Sequence, residues 1–88
     1  MRGRELVGFN IRRLRVERDI SQERLAFDSS VDRSYLGGME RGEENPTVDT
    51  LDRLAATLAV PLASLFVNDK SGGGQLNGLK RGRKPKSS

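Results

Sequence analysis

Three short polar residues, Ser21, Asp32 and Thr47, each stand directly before a run of apolar residues at helical spacing. A side-chain oxygen in that place accepts from the free N–H groups of a helix's first turn, so each marks a helix start. Upstream, Val7, Ile11 and Leu14 recur at intervals of four and three, which predicts a helix over Glu5–Arg18. Ser21 then opens a second helix through Leu25 and Ala26 to about Asp28, with Glu23 well placed for the helix dipole. Ser29-Ser30 reads as a turn. Asp32 opens a third helix carrying Tyr35, Leu36 and Met39, and Gly42 is its stop. After a loop over residues 43–46, Thr47 caps a fourth helix that aligns Leu51, Leu54, Ala55 and Leu58. Val60-Pro61 separates it from a short fifth helix with Leu62, Leu65 and Phe66. No segment alternates as a strand does, and there is no internal repeat. The expectation is an all-α fold, one compact five-helix domain over residues 1–68.

A chain of 88 residues supports one modest core. It has no cysteine and no histidine, which excludes disulfides, thiolate or imidazole metal sites and imidazole bases. No close acid pair stands beside a nucleophile, so no enzyme, cofactor or metal is expected. No apolar run approaches the roughly 20 residues of a membrane helix. Met1-Arg2-Gly3-Arg4-Glu5 is not followed by the apolar stretch of a signal peptide, so a cytoplasmic, nucleoid-associated protein without a membrane partner is expected. The net charge of +4 is unevenly placed. Residues 1–69 hold ten arginines, no lysine and twelve acids, whereas residues 70–88 hold six basic residues and no acid. With the Ser71-Gly72-Gly73-Gly74 linker and few apolar residues after Asn68, this predicts a flexible, disordered basic tail over 69–88. Such a tail suits a polyanion partner, and equally a solubilising end.

Two short helices joined by a tight turn, the second exposing small and polar side chains, have the form that a DNA major groove accepts. The ordered set is Ser21-Gln22, Leu25-Ala26-Phe27, Asp32-Arg33-Ser34-Tyr35, Glu40-Arg41-Gly42, Asn45-Pro46-Thr47 and a closing Leu54-Ala55 with Leu58 and Val60. It resembles the Cro/phage-repressor-type (XRE) helix-turn-helix family and is similar to the small controller proteins of restriction–modification systems. The resemblance covers about residues 5–67. It implies a lambda-repressor-like domain and a sequence-specific transcriptional regulator that binds a double-stranded DNA operator as a homodimer, with recognition helix 32–40 in the major groove. Three departures stand out. Ser30 occupies a turn position where the family usually has glycine, and a positive φ there costs about 1 kcal/mol relative to glycine. Met39 replaces a branched aliphatic residue. Gly37 and Gly38 occupy positions that often carry base-contacting side chains.

On that resemblance Arg33 points into the groove, where an arginine can bond guanine O6 and N7 together, and Ser34 beside it contacts a base or a phosphate. Gly37 and Gly38 would let the backbone come close to the bases, at a helix cost of roughly 0.5–1 kcal/mol each. Gln22, Tyr35, Arg41 and Asn45 are the candidate phosphate contacts, although Tyr35 also fits a half-buried core ring. Arg15 and Glu40 match a structural ion pair of the family. Phe27, on the outer side of helix two, reads as a packing residue under helix one or three. Leu62, Leu65, Phe66 and Val67 are more apolar than so small a domain readily buries, and are the candidate two-fold interface. In the tail, Lys80, Arg81, Arg83 and Lys84 resemble an AT-hook, a minor-groove segment, with Lys84 intervening before the usual proline. A reading from another class is a protein-binding module, such as an antitoxin acting through helix five or the tail. No small-molecule ligand is evident.

Overall fold

The computed structural model describes residues 2–68. The basic tail, with Lys80, Arg81, Arg83 and Lys84, lies outside the described residues. Among these residues four α-helices follow in order: α1 (Gly3–Glu17), α2 (Gln22–Ser29), α3 (Arg33–Glu40) and α4 (Val48–Thr57). The expected fifth helix is instead a short 3-10 turn over Leu62–Phe66. Five residues behind Pro61, which lacks an N–H, close only i to i+3 bonds there.

The three polar caps act as their positions predict. Ser21 Oγ accepts from the Arg24 N–H at 3.0 Å, Asp32 Oδ2 from Tyr35 at 3.0 Å, and Thr47 Oγ1 from Thr50 at 3.1 Å. α1 begins two residues before its predicted start, because the Arg2 N–H donates to the Glu5 carboxylate and closes the first turn. The helix ends share one device. Asp19, Ser30, Gly42 and Ala59 all take positive φ, between 55° and 78°. The next residue's N–H then reaches back five residues: Ile20 to Arg15, Val31 to Ala26, Glu43 to Gly38 and Val60 to Ala55. This closure satisfies carbonyls that the helix leaves free. Only Gly42 adopts the left-handed region without steric cost; each of the others gives up about 1 kcal/mol. Val31 is buried, and Ile20 and Val60 pack partly against the core, so apolar burial just past the stop offsets that cost.

The core is one cluster to which every element contributes. Val7, Ile11 and Leu14 of α1 meet Leu25 and Ala26 of α2, Leu36 and Met39 of α3, Leu51, Leu54, Ala55 and Leu58 of α4, and Leu65. α1 packs on α3 and on the 3-10 turn, and α2 packs on α3 and α4. The backbones of α1 and α3 come closest at Gly8, where a Cβ would overlap the Met39 carbonyl oxygen. Buried Asn10 ties the chain's last described turn to α1. Its Nδ2 donates to the carbonyls of Leu65 (3.0 Å) and Val67 (2.9 Å), and its Oδ1 accepts from Arg13.

The Arg15–Glu40 pair joins α1 to α3. Arg15 Nε and Nη2 donate to the two Glu40 oxygens at 2.7 and 3.0 Å, while Nη1 donates to the Ile20 carbonyl at 2.8 Å. The Glu40 side chain is only 2% exposed. Hydrogen bonding to Glu40 raises the Arg15 pKa above its ordinary value, outweighing the desolvation that lowers it. Other arginines serve as caps: Arg18 Nε donates to Leu58 O, and Arg53 Nε to Ser29 O, each at a helix end.

This packing yields two stability tests. Gly8→Ala forces α1 away from α3, and overpacking of this kind costs about 1–3 kcal/mol. The urea midpoint should fall by that equivalent, while Gly3→Ala, whose Cβ would meet nothing within 4 Å, serves as the silent control. Glu40→Ala leaves a largely buried guanidinium without its partner, at roughly 3–5 kcal/mol. Its melting temperature should drop far below that of Glu43→Ala, whose carboxylate is exposed; equal drops would mean that the pair contributes nothing internal.

Candidate nucleic-acid interface

Three residues, Ser30–Asp32, join α2 to α3. Ser30 sits in the left-handed region at φ 60° and ψ 38°, which turns the chain sharply enough to bring α3 across α2. Val31 is buried at the corner and Asp32 caps the new helix, so the turn is fixed from inside and outside. α3 buries Leu36 and Met39 against the core. Its opening residues, Arg33 and Ser34, are exposed, as are Arg41 and Asn45 just beyond its end. Tyr35 is half-buried and packs against the core cluster.

The charged groups of this face are loosely paired. Arg33 Nε lies 3.3 Å from Glu23 Oε2, and Arg41 Nε 3.1 Å from Glu43 Oε1. Exposed pairs of this kind contribute 0–1 kcal/mol or so, which an incoming anion readily offsets. The Glu23 carboxyl is held below its ordinary pKa, first by its own backbone N–H in the first turn of α2 and then by Arg33.

Several expected roles shift with the geometry. Gln22, a phosphate candidate, donates its side-chain Nε2 to Glu40 Oε1 at 2.9 Å, so its amide belongs to the buried joint between α1 and α3. Neither Gly37 nor Gly38 lies bare toward the groove: both are buried, and a Cβ on Gly38 would meet the Glu44 side chain at 2.8 Å. Leu65 is fully buried in the core and is not available to a partner, whereas Phe66 (46% exposed) and Val67 (37%) are, and Leu62 packs partly against the core. Phe27 is 82% exposed, contrary to the packing role expected of it. Asn10, Gly8 and the capping arginines were not singled out in the sequence. Asn10 had one available signal, a lone amide on the apolar stripe one position before Ile11.

The helix-turn-helix family profile matches residues 11–65. An HTH-type transcriptional regulator of Sinorhizobium fredii is 47% identical over 57 residues, covering 65% of this chain and 74% of that protein. The transcriptional repressor RstR of a cryptic CTXphi phage of Vibrio cholerae is 40% identical over 61 residues, covering 69% of this chain and 55% of the repressor. Among solved structures, the restriction–modification controller protein C.AhdI of Aeromonas hydrophila superposes with a TM-score of 0.70 at 41% identity, covering 72% of this chain and 96% of that one. None of the helices among the described residues is long and apolar enough to cross a membrane. With the α2–turn–α3 geometry in place and the profile spanning most of the chain, this protein belongs to the XRE-type helix-turn-helix family of transcription regulators, the family of phage repressors and restriction–modification controllers.

Proposed function

We propose that the chain is a sequence-specific operator-binding regulator that acts as a homodimer, with α3 in the major groove. The observation that carries this reading is the α2–α3 pair, tied together and to α1 through Glu40, while Arg33 and Ser34 stay exposed at the helix start. Groove reading needs a helix whose own position does not fluctuate, because base contacts tolerate little displacement. RstR is a transcriptional repressor and C.AhdI a controller protein, which supports the same role for this chain.

One such helix reads few base pairs, so useful affinity calls for two half-sites roughly 34–36 Å apart and two copies of the chain. The surface best suited to the second copy is around Phe66 and Val67. There Phe66 shares a shallow apolar groove with Pro46, Val48 and Leu51, and Val48 is 61% exposed.

Selection from a random duplex pool, followed by a salt titration, tests the reading: a two-fold symmetric site should emerge, and an unenriched pool would defeat it. Arg33→Ala should cost about 1–3 kcal/mol on the selected site and relax one position per half-site. An equal loss on random duplex would make Arg33 a backbone contact. Phe66→Glu should convert a dimer at micromolar concentration into a monomer by sedimentation, with an unchanged melting profile for the protomer. A parent protein that sediments as a monomer and binds single half-sites removes the dimer.

A further inference from the structure

Three polar groups, two from α3 and its end and one from α2, converge over Gly37. A Cβ built on Gly37 would lie 3.1 Å from Arg33 Nη1, 3.3 Å from Arg41 Nη1 and 3.9 Å from Gln22 Oε1. The first two distances are tighter than ordinary contact, so the guanidinium tips occupy space that any other residue's side chain would claim. The spacing explains the convergence. Arg33 and Arg41 stand four positions before and four after Gly37, which puts all three on one face of α3 and its end. Each arginine is steered by an acid on its Nε edge, Glu23 for Arg33 and Glu43 for Arg41. That arrangement leaves the Nη groups to lie over the glycine.

Gln22 supplies the third group, and chemistry fixes which atom it offers. The Glu40 carboxylate in this joint only accepts, so Gln22 must give it an amide N–H, and does so at 2.9 Å. The oxygen is therefore the atom left toward Gly37. The notch presents two cationic donors and one acceptor.

The geometry points to Gly37 as a specificity-determining residue: its missing side chain seats Arg33 and Arg41 beside Gln22 Oε1 as a donor–donor–acceptor cluster that complements the major-groove edge of a G·C pair. This rests on the DNA-reading function proposed above. Guanine offers two acceptors, O6 and N7, and its cytosine offers the N4 amino donor; an A·T edge interleaves a donor between acceptors instead. A phosphate would satisfy the guanidiniums but would face the Gln22 oxygen with another acceptor. The glutamine oxygen therefore favours a base pair over the backbone, and it assigns Arg41 to the reading cluster.

The test is Gly37→Ala in the full chain, with Gly38→Ala as the paired control. The three atoms nearest the Gly38 Cβ all belong to the Glu44 side chain, which can move, and none to the cluster. Three quantities are read: the base preference at each position of the selected site, the affinity for random duplex, and the melting temperature. Gly37→Ala should melt no lower than the parent, because alanine favours the helix. Its random-duplex affinity should stay within about twofold, while G·C preference at one position per half-site falls about tenfold or more. Gly38→Ala should keep the parent preference. Arg41→Lys, which keeps the charge but loses the planar fork, should lose that same preference. A parent-like preference in Gly37→Ala overturns the inference, as does an equal loss on random and selected DNA. A parent that selects a site with no G·C requirement overturns this inference alone, whereas a parent that selects nothing overturns the DNA-reading function with it.

Discussion

Glu40 is the joint on which the arrangement of α1, α2 and α3 depends. Its carboxylate, almost fully buried, receives two bonds from Arg15 of α1 and one from Gln22 at the first position of α2. A charge buried that deeply is tolerable only when its lone pairs are filled by aimed donors. Here the donors arrive from two helices other than its own, so the charge is satisfied in one relative placement of the three. Arg15 extends the constraint to the segment before α2 through the Ile20 carbonyl. Apolar burial draws the helices together without regard to direction. The carboxylate adds direction, because its bonds to Arg15 and Gln22 form only when α3 lies in register with α1 and the start of α2.

Arginine has two different uses in this molecule. Arg15, Arg18 and Arg53 turn inward to carbonyls or to Glu40, closing helix ends and joints. Arg33 and Arg41 stay outside, each held on one edge by an acid. The acids lower the net charge of residues 1–69, and at this face they meet the guanidinium edges in loose, exposed pairs. A lysine could do neither job as well, because it is a point charge without an edge to be held by.

Much of the fold was legible in the sequence. The caps Ser21, Asp32 and Thr47 and the spacing of Val7, Ile11 and Leu14 are local signals, and the structure agrees with them to within a residue or two. The helix stops were less legible. Gly42 announced itself by residue type, but Asp19 and Ala59 carry no such mark, and their left-handed turns are held by the partial burial of Ile20 and Val60. The family resemblance anticipated both the Arg15–Glu40 pair and the glycine-like place of Ser30. The roles of Gln22, Gly38 and Leu65 were not readable from spacing. Gln22 and Gly38 each depend on one partner distant in sequence or beyond a turn, Glu40 and Glu44, and Leu65 depends on how the last turn folds back over α1. The exposure of Phe27 shows the same limit: helical spacing gives a direction, and only the packed neighbours decide whether anything lies there.

The strained stops bear on how the molecule comes apart. α2 and α3 have eight residues each, below the length at which an isolated helix persists in water. α2 also ends on a residue held in an unfavourable conformation by the burial of its neighbour, Val31. Neither helix keeps its shape once the shared core opens, and the core in turn needs all of them. Loss of structure in a domain built this way is expected to be a single cooperative event, with little population of half-folded forms in which one helix has melted while the others stay packed. The response to heat is then a change in the number of folded molecules, and not a gradual loosening of each one.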